Sequence, residues 1–175
     1  MRRLRPDPTS TARLAAVLFG VVLVSAAAAK TTDRNAPMDI SADRTDAILT
    51  DDSDSTLTGN VQITQGTMEI GADRAVIHRR GGEITEVELT GAPATLKQVA
   101  DNGEPMNARA TRIVYTLSAD QVVLTGAVVI EQTRGTLRGE TIKYDLKTGR
   151  LDGGGDGSRV QMRILPKSAT GGGAN

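Results

Sequence analysis

Residues 57–77 read LTGNVQITQGTMEIGADRAVI, and this stretch contains two short phrases from which much of the chain is built. The phrase LTG recurs at residues 89–91 and 124–126, with a weaker copy, LDG, at 151–153. The phrase MEIGADR at 68–74 has copies at 38–44 (MDISADR), at 106–112 (MNARATR) and, faintly, at 137–142 (LRGETI). A period of roughly thirty residues is typical of stacked repeats, in which each unit completes the apolar face of its neighbour. We therefore expect function to reside in one long surface rather than in a single pocket.

Apolar and polar residues alternate throughout the sequence after residue 29, as in Val61, Ile63 and Gln65 against Gln62 and Thr64. Strict alternation predicts half-buried β-strands. Glycine-containing segments at 80–82, 101–103 and 147–149 separate these strands, where hairpins turn. No convincing helical period is found, so the predicted class is all-β with antiparallel strands.

The repeated glycine of LTG interrupts three predicted strands at equivalent positions, Gly59, Gly91 and Gly126. An isolated glycine inside a strand marks a bulge, a bend or a close approach of another backbone. Recurring in register, these glycines are expected to bend successive strands at one level. The sheet would then curl into an open trough with an aliphatic lining.

The first 29 residues are expected to be a secretory signal peptide. Four arginines precede an uncharged run at 14–29, which ends in small residues before Lys30. The run is shorter than the roughly 17–25 apolar residues of a membrane-spanning helix. We assign 30–166 to one β-domain and 167–175 to a disordered tail, because the tail is poor in apolar residues.

Composition excludes several classes of function. Residues 30–175 hold 17 basic and 20 acidic side chains, so no basic excess suggests nucleic acid. Cysteine is absent and His78 is the single histidine, which leaves no ordinary metal site or histidine-assisted nucleophile. His78 is expected at a solvated turn beside Arg79 and Arg80. The acidic segment 51–54 is expected to be a solvated turn rather than a calcium loop.

The stretches 57–77, 91–106 (GAPATLKQVADNGEPM) and 122–132 (VVLTGAVVIEQ) resemble the OstA-like family of periplasmic lipopolysaccharide export proteins. The resemblance extends from about Met38 to Pro166. It implies a β-jellyroll open along one side, no enzymatic activity, no cofactor and a periplasmic location. The chain departs from the family in its few aromatic residues and in a Gly/Asp-rich patch at 152–157.

The resemblance further implies a bridge that carries lipopolysaccharide from the inner to the outer membrane. Its expected partners are the lipid A portion of lipopolysaccharide, an inner-membrane LptC-like protein at the N-terminal edge, an outer-membrane LptD-like protein at the C-terminal edge, and further copies of itself joined head to tail. Strand addition at unpaired edges accounts for such joins. The predicted edge strands are 38–47 and 160–165, and the predicted interface residues are Met38, Ile40, Val160, Met162 and Ile164.

Acyl chains need an apolar lining, because each buried methylene contributes about 0.8 kcal/mol. The predicted lining residues are Met38, Ile40, Ile63, Met68, Ile70, Leu96, Ile113, Tyr115, Leu117 and Ile130. Alternating apolar positions are also what any sheet needs for its core. The pairs Asp43-Arg44 and Asp73-Arg74 are expected to end strands on the outer surface, where ion pairs contribute little.

Three other functions stay open at this point. A structural β-filament or adhesin-like module would fill the trough with its own side chains, and protein purified from membranes would carry no lipid A. A carbohydrate-processing enzyme would need paired inward carboxylates, but the acidic residues have mostly the outward parity. A membrane-anchored partner of the same export pathway would retain residues 1–29, which N-terminal sequencing would reveal.

Overall fold

A computed structural model describes residues 33–48, 50–100, 103–154 and 158–166. The predicted signal peptide at 1–29 and the predicted tail at 167–175 lie outside these ranges, as do Asp101 and Asn102 of one predicted turn. None of the helices in the described ranges is long and apolar enough to cross a membrane.

Within these ranges ten strands form a single antiparallel sheet, which confirms the predicted class. Two short 3-10 helices, Asp33–Asn35 and Leu117–Ala119, accompany them. The strands are β1 Met38–Ser41, β2 Arg44–Asp46, β3 Ser53–Gln65, β4 Met68–Arg80, β5 Glu83–Val99, β6 Pro105–Thr116, β7 Gln121–Gln132, β8 Gly135–Asp145, β9 Leu151–Gly153 and β10 Gln161–Ile164.

The sheet order is β1-β3-β4-β5-β6-β7-β8-β10, with β2 paired to β3 and β9 paired to β8. We call the side formed by β1 and β2 the first edge, and the side formed by β9 and β10 the last edge. The upper end of the sheet is the end that carries the β4–β5 turn at Gly81 and Gly82, and the lower end carries the β3–β4 turn at Gly66 and Thr67. The predicted turns at 80–82 and 147–149 are confirmed.

Both predicted edge strands need correction. The segment 38–47 forms two strands, because Asp43 leaves the ladder to donate its backbone N–H to the Gly59 carbonyl, at 2.9 Å. At the other edge the strand begins at Gln161 and ends at Ile164. Val160 precedes it and packs over Gly153, its Cγ2 lying 3.2 Å from where a Cβ of that glycine would stand.

A line of bends crosses the sheet at one level, as expected from the LTG glycines. Every pairing from β3/β4 to β7/β8 changes register there. Gly59 and Gly126 take φ of +80° and +84°, a region that favours glycine. A Cβ on Gly91 would lie only 2.8 Å from the Ala94 nitrogen. The prediction for these three glycines is confirmed.

The two repeated phrases meet at this line. In each of three copies, the residue before the arginine of the MEIGADR-type phrase contacts the bend of the next LTG phrase. Asp43 Oδ2 accepts from Asn60 Nδ2 at 2.7 Å, and Asp73 Oδ2 accepts from the Ala92 N–H at 3.1 Å. Thr111 Oγ1 donates weakly to the Gly126 carbonyl, at 3.4 Å. Asp43 lies between β1 and β2, as expected for a residue at the end of a strand. For Asp73 that expectation is wrong, because Asp73 lies inside β4, where it satisfies backbone that the bend removes from the ladder.

Candidate functional site

The inner face of the curled sheet brings together all ten predicted lining residues. Seven of them are only 0–3% exposed and belong to one apolar cluster: Ile63, Met68, Ile70, Leu96, Ile113, Tyr115 and Ile130. Met38, Ile40 and Leu117 are partly buried against that cluster. These residues therefore share one surface, while their role in binding stays a prediction.

Leu117 reaches this surface from a 3-10 helix rather than from a strand. The Asp120 N–H bonds to the Leu117 carbonyl at 3.2 Å, and Asp120 itself takes φ of +50°. This tight turn ends β6 at Thr116 and reverses the chain into β7. The alternation of apolar residues in the sequence therefore continues one position past the end of β6.

The interior is filled along its middle by these side chains, so the trough is not empty along its whole length. Open space remains in the described part of the chain near each edge of the sheet. A cavity of about 520 Å³, the upper cavity, lies near the first edge and is lined in part by Ile40, Leu57, Ile77 and Ile84. A second cavity, about 300 Å³, lies near the last edge at the lower end and is lined in part by Ile130, Leu137 and Met162.

Glutamines occupy the lower end of the inner face. Gln65 ends β3 and is buried, and the Tyr115 hydroxyl donates to its Oε1 at 3.2 Å. Gln65 Nε2 in turn donates to the Ala36 carbonyl at 3.3 Å. Gln98 carries a buried Oε1 that has no hydrogen-bond donor among the described residues, and Gln132 lines the second cavity. Arg134 and Arg163 line the same cavity, so this end carries cations as well as amide groups.

The upper end presents a cation to the interior. Arg79 follows Ala75 and Ile77 on the inward-facing positions of β4 and lines the upper cavity. Its Nη2 donates to the Gly82 carbonyl at 2.6 Å, while its buried Nε has no partner among the described residues. From its place in the sequence, Arg79 was expected beside a solvated turn, and its inward position was not predicted. Its parity with Ala75 and Ile77 was the signal that could have identified it.

Both sheet edges are unpaired among the described residues, since β1 pairs only with β3 and β10 only with β8. Met162 and Ile164 on β10 are 67% and 70% exposed. Met38 and Ile40 on β1 are half-buried, as is Val160. An edge with exposed apolar side chains can accept another strand.

The outer face carries ion pairs. The Arg112 guanidinium holds Glu88 through two contacts of 2.8 Å each, which lowers the pKa of Glu88 and raises that of Arg112. Asp54 contacts His78 Nδ1 at 2.9 Å and Arg80 at 3.1 Å, and these hydrogen bonds lower the pKa of Asp54.

Two expectations for residues of the outer face, those for His78 and for the segment 51–54, need correction. His78 lies within β4 rather than at a turn. The acidic segment 51–54 is only in part a turn, because β3 begins at Ser53. Among the described residues, no group of three or more His, Asp or Glu side chains is placed to hold a metal ion.

Comparison with known proteins gives a consistent result. Residues 39–150 match the family model described as LptA/(LptD N-terminal domain) LPS transport protein. The lipopolysaccharide export system protein LptA of Escherichia coli K12 is 40% identical over 114 residues, which cover 63% of this chain and 62% of the relative. This chain thus spans under two thirds of that relative's length.

The corresponding protein of Haemophilus influenzae is 35% identical over 157 residues, covering 86% of this chain and 91% of the relative. The crystal structure of LptH, the LptA homologous periplasmic component of the lipopolysaccharide transport device of Pseudomonas aeruginosa, superposes with a TM-score of 0.69 at 24% identity. It covers 77% of this chain and 99% of that chain, which shows a shared fold.

Proposed function

The chain belongs to the LptA/(LptD N-terminal domain) family of LPS transport proteins, and from this premise we propose that it carries lipopolysaccharide through the periplasm as one component of a bridge between the membranes. The observation that carries the proposal is the continuous apolar inner face of a sheet whose two edges are unpaired among the described residues. Such a face can cover acyl chains while sugars stay in solvent. The task needs no covalent chemistry.

Acyl chains enter this interior only if its walls separate, because the middle is closed by its own side chains. Two structural features support such a movement. The bends lie along one line across the sheet, and cavities already exist at both ends of the apolar cluster. Lipid contact with Met38, Ile40, Ile63, Met68 and Ile70, and with the other predicted lining residues, then replaces contact between the walls.

The edges provide the joins of the bridge. The first edge has half-buried Met38 and Ile40, and the last edge has exposed Met162 and Ile164, so a contact between copies joins unlike edges head to tail and can repeat along a stack. We assign the first edge to an inner-membrane partner and the last edge to an outer-membrane partner. Backbone hydrogen bonding allows related folds to cap either edge.

Crosslinking from the inner face tests the proposal. A photoreactive residue at position 63 is expected to crosslink lipopolysaccharide, and Ile40→Asp or Leu117→Asp is expected to abolish that crosslink while the sheet content by circular dichroism is retained. Ser41→Asp is the matched control, since Ser41 is the exposed neighbour of Ile40 on the opposite face. A crosslink that persists in both aspartate variants contradicts the assigned lining. Absence of any crosslink and of any copurifying lipid favours a structural filament.

A further inference from the structure

The upper cavity combines an apolar wall with one inward-facing cation, and the mechanism of acyl-chain shelter does not use that cation. Its volume of about 520 Å³ falls within the range of small-molecule sites, about 300–1,000 Å³. Apolar side chains dominate such sites, and a few polar groups fix the orientation of the ligand. Arg79 and Ser55 are the candidates for that polar role here.

A bulge in β5 makes this arrangement possible. His78 pairs with Glu86, yet Arg79 pairs with Ile84, so Thr85 is the extra residue. Without it, Ile84 would have the outward parity, opposite to Val87 and Leu89. The bulge turns Ile84 inward against the apolar cluster, beside Arg79. Bulges that redirect a side chain are common next to functional sites.

The Arg79 guanidinium is not neutralised by the protein. It donates to a carbonyl, that of Gly82, and no carboxylate lies within salt-bridge distance of it in the part of the chain that the structure describes. The next residue, Arg80, faces outward and pairs with Asp54. Two adjacent arginines thus differ: one is paired outside, and the other is unpaired at a cavity.

We propose that the upper cavity is an anion-recognition site in which Arg79 binds a phosphate group of the lipid A headgroup while an acyl chain occupies the apolar wall. The proposal rests on the proposed function and names the residue that orients its cargo. Guanidinium matches phosphate geometry and forms strong charge-assisted hydrogen bonds with it. Arg134 and Arg163 line the second cavity at the lower end, but that cavity has only about 300 Å³, against about 520 Å³ for the upper cavity. The larger cavity, with its inward-facing Arg79, is therefore the one to which we assign the phosphate.

The test measures whether the contribution of Arg79 to lipid binding depends on the phosphate groups of lipid A. Bisphosphorylated lipid A and fully dephosphorylated lipid A are titrated against the full chain and against Arg79→Met, with bound lipid quantified by native mass spectrometry. Arg79→Met is expected to weaken binding of the phosphorylated lipid about tenfold, the scale of one hydrogen bond to a charged group. Binding of the dephosphorylated lipid is expected to change less than about twofold. Arg79→Lys, which keeps the charge, is expected to restore part of the loss.

Arg80→Met is the matched control, because it removes the same charge one residue away on the opposite face. It is expected to bind both lipids as the original chain does. Equal losses for both lipids in Arg79→Met, or equal losses in the two methionine variants, overturn the proposal, since packing or overall charge would then explain them. Thermal unfolding of each variant verifies the fold.

Two further measurements complete the test. The first distinguishes a lipid headgroup from free phosphate, and the second distinguishes failure of the proposed function from failure of the Arg79 site. Inorganic phosphate alone is expected not to displace the lipid at millimolar concentration, and efficient displacement would overturn the assignment to a headgroup. Failure of the original chain to bind either form of lipid A contradicts the proposed function itself. If the original chain binds lipid A but Arg79→Met does not selectively weaken binding of the phosphorylated form, only the assignment of Arg79 is contradicted.

Discussion

Tyr115 and Gln65 lie three strands apart in the sheet order, yet the Tyr115 hydroxyl donates to Gln65 Oε1 across the interior at 3.2 Å. In a flat sheet those strands would be about 14 Å apart. The contact is therefore possible only because the sheet curls back on itself. It joins the upper half of β6 to the lower end of β3 and closes the apolar interior between them.

Tyr115→Phe is expected to ease lipid entry, because it removes this hydrogen bond between the walls and keeps the ring. The free energy of unfolding should fall by about 1 kcal/mol. The initial rate of lipopolysaccharide crosslinking should rise. The crosslinking rate is measured from samples quenched at successive times, and the free energy of unfolding is measured with denaturant.

Ser53→Ala serves as the control for Tyr115→Phe, since it removes a buried hydroxyl that donates to the Ile48 carbonyl at 2.7 Å without spanning the interior. It should cost a similar stability and leave the crosslinking rate unchanged. Equal acceleration in both variants would mean that general destabilisation opens the interior.

Gly126→Ala is expected to destabilise the fold more than Gly149→Ala does. Both glycines have positive φ, +84° and +70°, so both substitutions carry backbone strain. A Cβ at position 126 would lie 2.6 Å from Thr111 Oγ1, whereas one at 149 meets nothing within 4 Å. The difference in free energy of unfolding should be about 1–3 kcal/mol, the usual cost of overpacking. Equal costs would show that the bend tolerates a side chain.

Ile164→Asp is expected to weaken self-association and to leave monomer stability unchanged, because the side chain is 70% exposed on an edge strand. The dissociation constant measured by sedimentation velocity should rise at least about tenfold. Ala127→Asp is the control: Ala127 is exposed on β7, which is paired on both sides, and its φ of +47° is one that aspartate tolerates. An unchanged dissociation constant in Ile164→Asp contradicts the assignment of the last edge.

Glu88→Gln is expected to lower stability at neutral pH and to have no effect in acid. Arg112 lowers the pKa of Glu88 below its usual 4.5, so the pair stabilises the fold above that pH and loses its effect as pH falls through the lowered pKa. The two side chains are 31% and 46% exposed, which limits the difference to about 0.5 kcal/mol. Unfolding by denaturant at pH 7 and pH 3 checks this. A difference that persists at pH 3 would point to another cause.

The alternation and the repeats were sufficient to predict the class, the bends at Gly59, Gly91 and Gly126 and the set of inward residues, because these depend on local parity and on backbone geometry. Contacts that depend on how tightly the sheet curls could not be predicted. Gln65 and Tyr115 are far apart in the sequence, and no periodicity relates them. Arg79 was missed because its position beside a turn resembled that of a solvated residue. Leu117 and Val160 lie just outside the strands whose alternation they continue, so parity alone does not fix where a strand begins or ends.

The line of bends has a consequence for how such a chain can vary in length. Each repeat adds strands that fold at the same level, and in three copies the bend is fastened by the residue before the arginine, Asp43, Asp73 or Thr111. Inserting or deleting one repeat would change how far the protein reaches along the stacking axis and leave its cross-section as it is. The architecture is extensible in one dimension and constrained in the other two.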